Sequence, residues 1–530
     1  MIASLIGVNG GLTALDLSSN DLTDEGVSAV SEAIQSNKET KLVSLNFGNN
    51  GIGPVGANAV AAMVAVTGGL TRLDLSSNQL CGLGRDGRGT YTAEGITAIA
   101  DALRVNGGLT SINLSGNQLC GIWTGWSEQG QHGTYTAEGI TAIADALRIN
   151  GGLMSIDLSG NQLCGIWTDM SGSQQGTYTA EGITAIADAM RVNGALTVTN
   201  LLGKQLDEAS AKMLAEVAKQ KGISLCGIQR DQTTADFSYS LFTLGLNPPD
   251  AILLASDLSQ AVVTGALTKI SLAKNELGEE GIKAICEALE QNKTLKELDI
   301  SGGRFVVSNI GGSAGAKHVA KMLGVNGALT KLSLAQNNLE EEGTKAICEA
   351  LEQNTTLKEL DISGHPFLGS NIGGSAGAKH VAKMLGVNGA LTVTNLLLNQ
   401  LDVESAKMLY EVAKQKGISL CGIRRDQTTA DFSYQDLKLP DAILLASDLS
   451  QAVVTGGLIK VSLAKNQLGE EGTKAICEAL EQNKTLKELD ISGKMFGKSH
   501  IGGTAGVKHV AKMLGVNGAL TKIRYVSPQT

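Results

Sequence analysis

Several residue sets in this chain have types and spacing from which chemistry could be built. The run Gly311-Gly312-Ser313-Ala314-Gly315 before Ala316-Lys317-His318 has the look of a phosphate-binding loop. It lacks the terminal G-K-[ST], whose lysine and hydroxyl reach the phosphates and the magnesium ion. It also recurs at 373–380, and as GGTAGVKH at 502–509, so it reads as a repeat feature. Its helix N-terminus retains at most a weak affinity for an anion. His318, His380 and His509 travel with it and are assigned to a helix surface. Cys286, Cys348 and Cys477 share one recurring context (KAICEALEQN), and Cys81, Cys120 and Cys164 share another (NQLCG). Thiols locked to a recurring position read as small buried apolar groups. No CxxC or Cys/His pairing suggests zinc. No Ser/His/Asp or Cys/His set assembles into a nucleophilic site. The reading is of a protein without catalysis, cofactor or metal.

Binding chemistry is better represented. The segments 81–95, 120–139 and 164–182 hold all three Trp of the chain, Trp123, Trp126 and Trp167, with Tyr91, Tyr135 and Tyr178. Arg85 and Arg88 lie in the first of them. Aromatic residues with arginine have the composition of an interaction hot spot. Equally, each ring can pack its loop onto a neighbour, and the sequence does not separate the two roles. A further candidate is the column Asp16, Asn46, Asp74, Asn113, Asp157, Asn200. On neighbouring strands ~4.8 Å apart, interleaved Asn would separate carboxylates that otherwise repel. Asp16, Asp74 and Asp157 would then form an acidic, hydrogen-bonding stripe for a basic partner segment, or simply a solvated sheet face.

Repeated elements must position these residues. LxxLxLxxNxL recurs as LTALDLSSNDL (12–22), LTRLDLSSNQL (70–80), LTSINLSGNQL (109–119) and LTKLSLAQNNL (329–339). Alternate leucines such as Leu15/Leu17 and Leu73/Leu75 predict short half-buried strands. After a turn, Val27/Val30/Ile34, Ile96/Ile99/Leu103 and Ile282/Ile285/Leu289 form apolar stripes of helical spacing. Asn-Gly pairs such as Asn106-Gly107 and Asn326-Gly327 are expected to stop the helices through left-handed backbone. The first leucines fall at 12, 42, 70, 109, 153 and 196, then 267, 295, 329, 357 and 391, then 458, 486 and 520. Intervals of 28 and 30 are the basic unit, and the three aromatic segments are insertions between strand and helix.

A longer duplication overlies this, since the segment 223–265 returns with few changes at 418–456. The organisation expected is one solenoid over 1–530. Within it, 1–206 carries the insertions, 207–266 and 402–457 are irregular spacers, and 267–401 and 458–530 are paired 28/34-residue repeats. The spacers are read as two short strands with little helix between them. The Asn of LxxLxLxxNxL should bond the backbone of each buried corner, through Asn20, Asn50, Asn78, Asn117, Asn161, Asn275, Asn337, Asn399 and Asn466. Lys204, Gly303, His365 and Lys494 replace it elsewhere, where looser corners are expected. At the third motif position Lys269, Glu297, Lys331, Glu359 and then Lys460, Glu488, Lys522 alternate, so that face should neutralise itself.

These units resemble leucine-rich repeats of the ribonuclease-inhibitor type, the long-helix subclass also found in Ran GTPase-activating proteins and NOD-like receptors. The resemblance implies an α/β fold: a right-handed leucine-rich-repeat solenoid, or horseshoe, with a parallel β-sheet on the concave face and helices on the convex face. It does not specify function, because sites rather than folds carry function. In 530 residues the apolar share is 42% and the aromatic share 3%, so the core should be aliphatic. A net charge of −9 argues against nucleic acid or an anionic membrane as main partner. No apolar stretch reaches membrane-spanning length, and the N-terminus does not read as a signal peptide, so cytosol or nucleus is expected. N-x-S/T triplets at Asn113, Asn292, Asn354 and Asn483 are attributed to chance. ASLIGVNGGL (3–12) matches AKMLGVNGAL (320–329), so the chain opens inside a helix; with no polar cap at either end, the expectation is a longer native array or ends that pack on something. The expected function is a protein-interaction scaffold with an unidentified protein partner. The alternatives are a regulator of a small GTPase and the detached sensor array of a NOD-like receptor.

Overall fold

The computed structural model describes residues 2–84, 88–123, 133–168, 174–203, 206–239, 245–303, 308–367, 369–493 and 500–525. The chain forms two compact units, Met1–Gln232 with Leu244–Ala266, and Thr233–Thr243 with Leu267–Thr530. In both, three-residue strands alternate with helices, apart from one antiparallel hairpin in the first unit, and the strands of the main sheets pair in parallel: an α/β leucine-rich-repeat architecture.

The first unit contains β1 (Ala14–Asp16), β2 (Ser44–Asn46), β3 (Arg72–Asp74), β4 (Ser111–Asn113), β5 (Ser155–Asp157), the hairpin strands β6 (Ile166–Thr168) and β7 (Gln174–Gly176), and β8 (Val198–Asn200). Its sheet runs β1-β2-β3-β4-β5-β8. The second unit contains β9 (Thr234–Asp236), β10 (Lys269–Ser271), β11 (Glu297–Asp299), β12 (Lys331–Ser333), β13 (Glu359–Asp361) and β14 (Val393–Asn395), in order in one sheet. A second sheet there is made of β15 (Thr429–Asp431), β16 (Lys460–Ser462), β17 (Glu488–Asp490) and β18 (Lys522–Arg524).

Period-two leucines face inward as expected: Leu73 and Leu75 are buried, as are the helix stripes Val27/Val30/Ile34 and Ile96/Ile99/Leu103. Neighbouring helices approach closely through glycine. A Cβ at Gly95 would lie 2.4 Å from the Leu80 carbonyl oxygen and 2.8 Å from Pro54 Cα. All eight cysteines are buried free thiols, and desolvation pushes Cys81, Cys164, Cys348 and Cys477 up to about 12.

The corner asparagines work across units. Asn50 Nδ2 donates to the Leu17 carbonyl of the preceding unit at 2.9 Å, and its Oδ1 accepts the Asn20 and Leu22 N–H groups. Asn78 and Asn161 repeat the pattern. Two expectations need correction. The corners after β11 and β13 are not looser: Asn309 and Asn371, six residues beyond Gly303 and His365, take over the ladder. Asn309 donates to Leu272 O at 2.8 Å, and Asn371 donates to Leu334 O at 3.0 Å while capping Asn337 N. His500 holds the same position in the third such corner and is 3% exposed. Lys204 and Lys494 lie outside the described residues.

The second correction concerns helix stops. Asn106, Asn150 and Asn193 are extended, not left-handed. Each ends its helix by side-chain bonding: Asn150 Nδ2 donates to Leu103 O and Asn106 O, while its Oδ1 accepts from Gly152 and Leu153. Asn326, Asn354, Asn388, Asn483 and Asn517 make the corresponding bonds to earlier helix ends. Left-handed glycine caps occur at Gly222 and Gly417.

In each spacer a one-residue parallel bridge (Ser224 to Val198, Ser419 to Val393) precedes the next strand, β9 or β15. The helix that follows each strand, Pro248–Leu258 or Leu439–Leu449, carries a buried aspartate back to that bridge. Asp257 accepts Ser224 Oγ, Leu225 N and Cys226 N; Asp448 accepts Ser419 Oγ, Leu420 N and Cys421 N.

Candidate functional site

The site grows out of the parallel register of the first sheet. Asp16 pairs with Asn46, Asn46 with Asp74, Asp74 with Asn113, Asn113 with Asp157 and Asp157 with Asn200. The column therefore lies as the strand period requires, on the face away from the buried leucines. Each member caps its own strand end: Asp74 Oδ1 accepts Ser76 N at 2.8 Å, and Asp157 Oδ1 accepts Ser159 N at 2.9 Å and Ser159 Oγ at 2.7 Å. The other oxygens take the neighbouring amides. Asn113 Nδ2 donates to Asp74 Oδ2 at 3.0 Å, and Asn200 Nδ2 to Asp157 Oδ2 at 2.9 Å. Interleaved asparagine thus does more than separate charge, because each amide binds the carboxylate beside it. At Asp16 the Ser18 N–H and hydroxyl hold the carboxyl below the usual range.

A groove of ≈ 380 Å³ opens on this face, floored by β2, β3, β4, β5 and β8. It gathers Asp74 and Asp157 with Arg72, the hydroxyls of Ser44, Ser111 and Ser155, and the amides of Asn46, Asn113 and Asn200. One end is walled by Gly227 and Gln229, which follow the bridge from Asn200 to Cys226. The wall was not legible as part of a site, because the spacer has no repeat register of its own. Asp16 is exposed on β1, the outermost strand of the sheet, and does not line the groove.

The three insertions begin and end as antiparallel ribbons: Leu83 pairs with Gly89, Ile122 with Gly133, and β6 with β7. Their tyrosines reach the next unit. Tyr91 OH donates to Leu119 O at 3.0 Å and Tyr135 OH to Leu163 O at 3.1 Å, and Tyr135 OH also accepts Gly182 N. Tyr178 OH meets Ser210 Oγ at 2.9 Å, and the residue is 43% exposed. Trp123 is buried, and Trp167 lies against Gly176, where a Cβ would come within 2.5 Å of the ring. Packing thus engages Tyr91, Tyr135, Trp123 and Trp167, while Arg88 and Tyr178 offer exposed surface. Arg85 and Trp126 lie outside the described residues.

The second unit behaves differently at the third motif position. Lys269 meets Glu297 at 3.4 Å, Lys331 meets Glu359 at 3.6 Å, and Glu488 lies between Lys460 at 3.8 Å and Lys522 at 3.4 Å. That face satisfies its own charges, as the alternation predicts. His318, His380 and His509 sit on helix surfaces facing Glu279, Glu341 and Glu470 at 3.5, 3.6 and 3.9 Å. Among the described residues no helix is long and apolar enough to cross a membrane.

Comparison with known proteins follows the same pattern. The family description "Leucine Rich repeat" matches residues 12–31, 38–61, 267–286 and 353–373. The chain is 32% identical over 170 residues to "NACHT, LRR and PYD domains-containing protein 13" of Homo sapiens, covering 32% of this chain and 15% of that protein. It is 25% identical over 233 residues to the ribonuclease inhibitor of Mus musculus, covering 42% of this chain and 44% of that protein. The chain thus spans less than half the length of either relative. Among solved structures, the leucine-rich repeat-containing protein LegL7 of Legionella pneumophila aligns over 86% of this chain and 93% of that chain, with 15% identity and a TM-score of 0.24.

Proposed function

We propose that this chain, a leucine-rich-repeat protein of the ribonuclease-inhibitor type, is a non-enzymatic scaffold that holds a protein partner in the groove of its first unit. The observation that carries the reading is the groove itself: an open, polar recess of ≈ 380 Å³ with hydroxyls, amides, two carboxylates and one guanidinium on its floor. Such a surface offers many directional hydrogen bonds and no group poised to attack a substrate. Arg88 and Tyr178, exposed on the insertion ribbons, would add contacts at the rim, and Asp16 would extend the acidic column. The partner is a protein rather than nucleic acid or membrane, and the setting is the cytosol or nucleus.

The test places bulk on the floor. Ser111→Trp fills the groove from a half-buried strand position on the face away from the leucine core. Loss of partner capture with an unchanged thermal melt supports the reading, and undiminished capture removes it. A second reading, the sensor array of a NOD-like receptor, is favoured by the likeness to the NACHT, LRR and PYD protein. It requires a nucleotide-binding module encoded upstream in the same frame, and a stop codon there would end it.

A further inference from the structure

The chain carries its spacer twice, and the two copies differ where they face the sheet. Their frameworks match. Ser224 and Ser419 bridge to Val198 and Val393, and Asp257 and Asp448 staple them with the same three donors. Gln229 N donates to Gln232 Oε1 at 3.1 Å, and Arg424 N donates to Gln427 Oε1 at 3.2 Å. Gln229 and Arg424 are therefore the same position of the wall. The residues they face also correspond, because Val198 pairs with Ser155 and Val393 pairs with Glu359.

In the second unit this position is filled. Arg424 Nε and Nη2 both lie 2.9 Å from Glu359 Oε2, and Lys331 reaches the same oxygen at 3.6 Å. In the first unit, glutamine and serine replace the arginine and the glutamate, and the groove is open. Two carboxylates, Asp74 and Asp157, and one guanidinium, Arg72, leave its floor with an excess of negative charge.

We propose that the walled end of the first unit's groove receives an arginine side chain from the partner protein, in the place that Arg424 occupies in the second unit. The inference rests on the scaffold reading and names the chemistry of its partner. Asp157 Oδ2 accepts one amide bond from Asn200, which leaves it room for a further donor. The Ser155 hydroxyl and the Gln229 side-chain carbonyl supply neutral acceptors at the same end. A planar guanidinium with several donors fits spread acceptors, whereas an ammonium acts as a point charge. Arg72 sets the direction: it sits on β3, two strand spacings from β5, or ~10 Å, and disfavours a cation at the open end.

Saturation-transfer NMR on the full chain tests this with acetyl-Gly-Arg-Gly-amide and its citrulline and lysine counterparts as probes. Transfer to the arginine peptide is expected, with loss for citrulline, which keeps the shape without the charge, and a weaker signal for lysine. Ser155→Glu with Gln229→Arg copies the second unit's plug and should abolish transfer. Asp157→Asn should do so as well, each with an unchanged melt. Arg424→Gln should open the second site and raise the signal. Equal transfer from the citrulline peptide, a comparison that needs no variant, overturns the proposal, as does full transfer in the well-folded plugged variant. If the arginine peptide fails while Ser111→Trp still abolishes partner capture, this inference falls and the scaffold reading stands.

Discussion

The side-chain amide of Asn150 donates at 2.6 Å to the carbonyl of Leu103, 47 residues earlier, at the end of the preceding helix. Its oxygen meanwhile accepts two N–H groups of its own turn. One buried side chain thus closes two helix ends. Asn150→Ala leaves these groups without partners and should cost about 1–3 kcal/mol. Asn9, which bonds the Gly11 and Leu12 N–H groups at an exposed turn, should be worth less than about 1 kcal/mol. Urea denaturation of both variants compares them, and equal costs would show that burial does not set the value of the bond.

Tyr135 separates packing from recognition. Its hydroxyl donates to Leu163 O and accepts Gly182 N. Tyr135→Phe should lower stability by about 1–2 kcal/mol through these two groups and leave partner capture intact. A variant with a wild-type melt and lost capture would return this tyrosine to the binding surface.

Burial pushes the Asp448 carboxyl up to about 7, against Ser419, Leu420 and Cys421, whose bonds hold it down. A folded value above the ordinary 3.8 means that the folded state holds the proton more tightly. The resulting stability is complete below the ordinary value and is lost as pH rises through about 7. Asp257 repeats the arrangement in the first unit. Asp448→Asn should flatten the fall in urea midpoint of the second unit between about pH 4 and pH 7. A slope identical to wild type would place the aspartate outside the titration.

His500 sits where Asn309 and Asn371 serve the other two corners, and burial holds its imidazole below the ordinary value, with the Asn466 backbone and Asp490 acting against that shift. A lowered folded value means that the unfolded chain takes up the proton first, so stability is present above about pH 6.5 and lost as pH falls. His500→Asn restores an amide to the ladder. It should raise the melting temperature most below about pH 6 and least at pH 8. A gain independent of pH would attribute the effect to hydrogen bonding alone.

The repeat pattern carried most of the architecture. Alternate leucines located the strands to within a residue, as at Leu73 and Leu75, because a period of two leaves one choice of buried face. The same register placed Asp74 beside Asn113 and Lys331 beside Glu359 before any coordinates. What escaped were relations that need a third dimension. Asn309 was missed because it lies off the motif position, although it returns to the same corner. The asparagines at helix ends were read for their backbone, while their side chains do the capping. The groove wall at Gln229 belongs to a segment without repeat register. Its one legible sign was the glutamine-to-arginine change between two nearly identical copies.

Beyond the first unit, the corner and helix-end asparagines described above donate backwards, each to a carbonyl of the unit synthesised before it. A chain leaving the ribosome therefore exposes each new unit with part of its corner and helix-end backbone unpaired until the next repeat emerges. Consolidation must trail translation by about one repeat, and a pause between repeats would leave a single raw seam rather than a scattered set of loose ends.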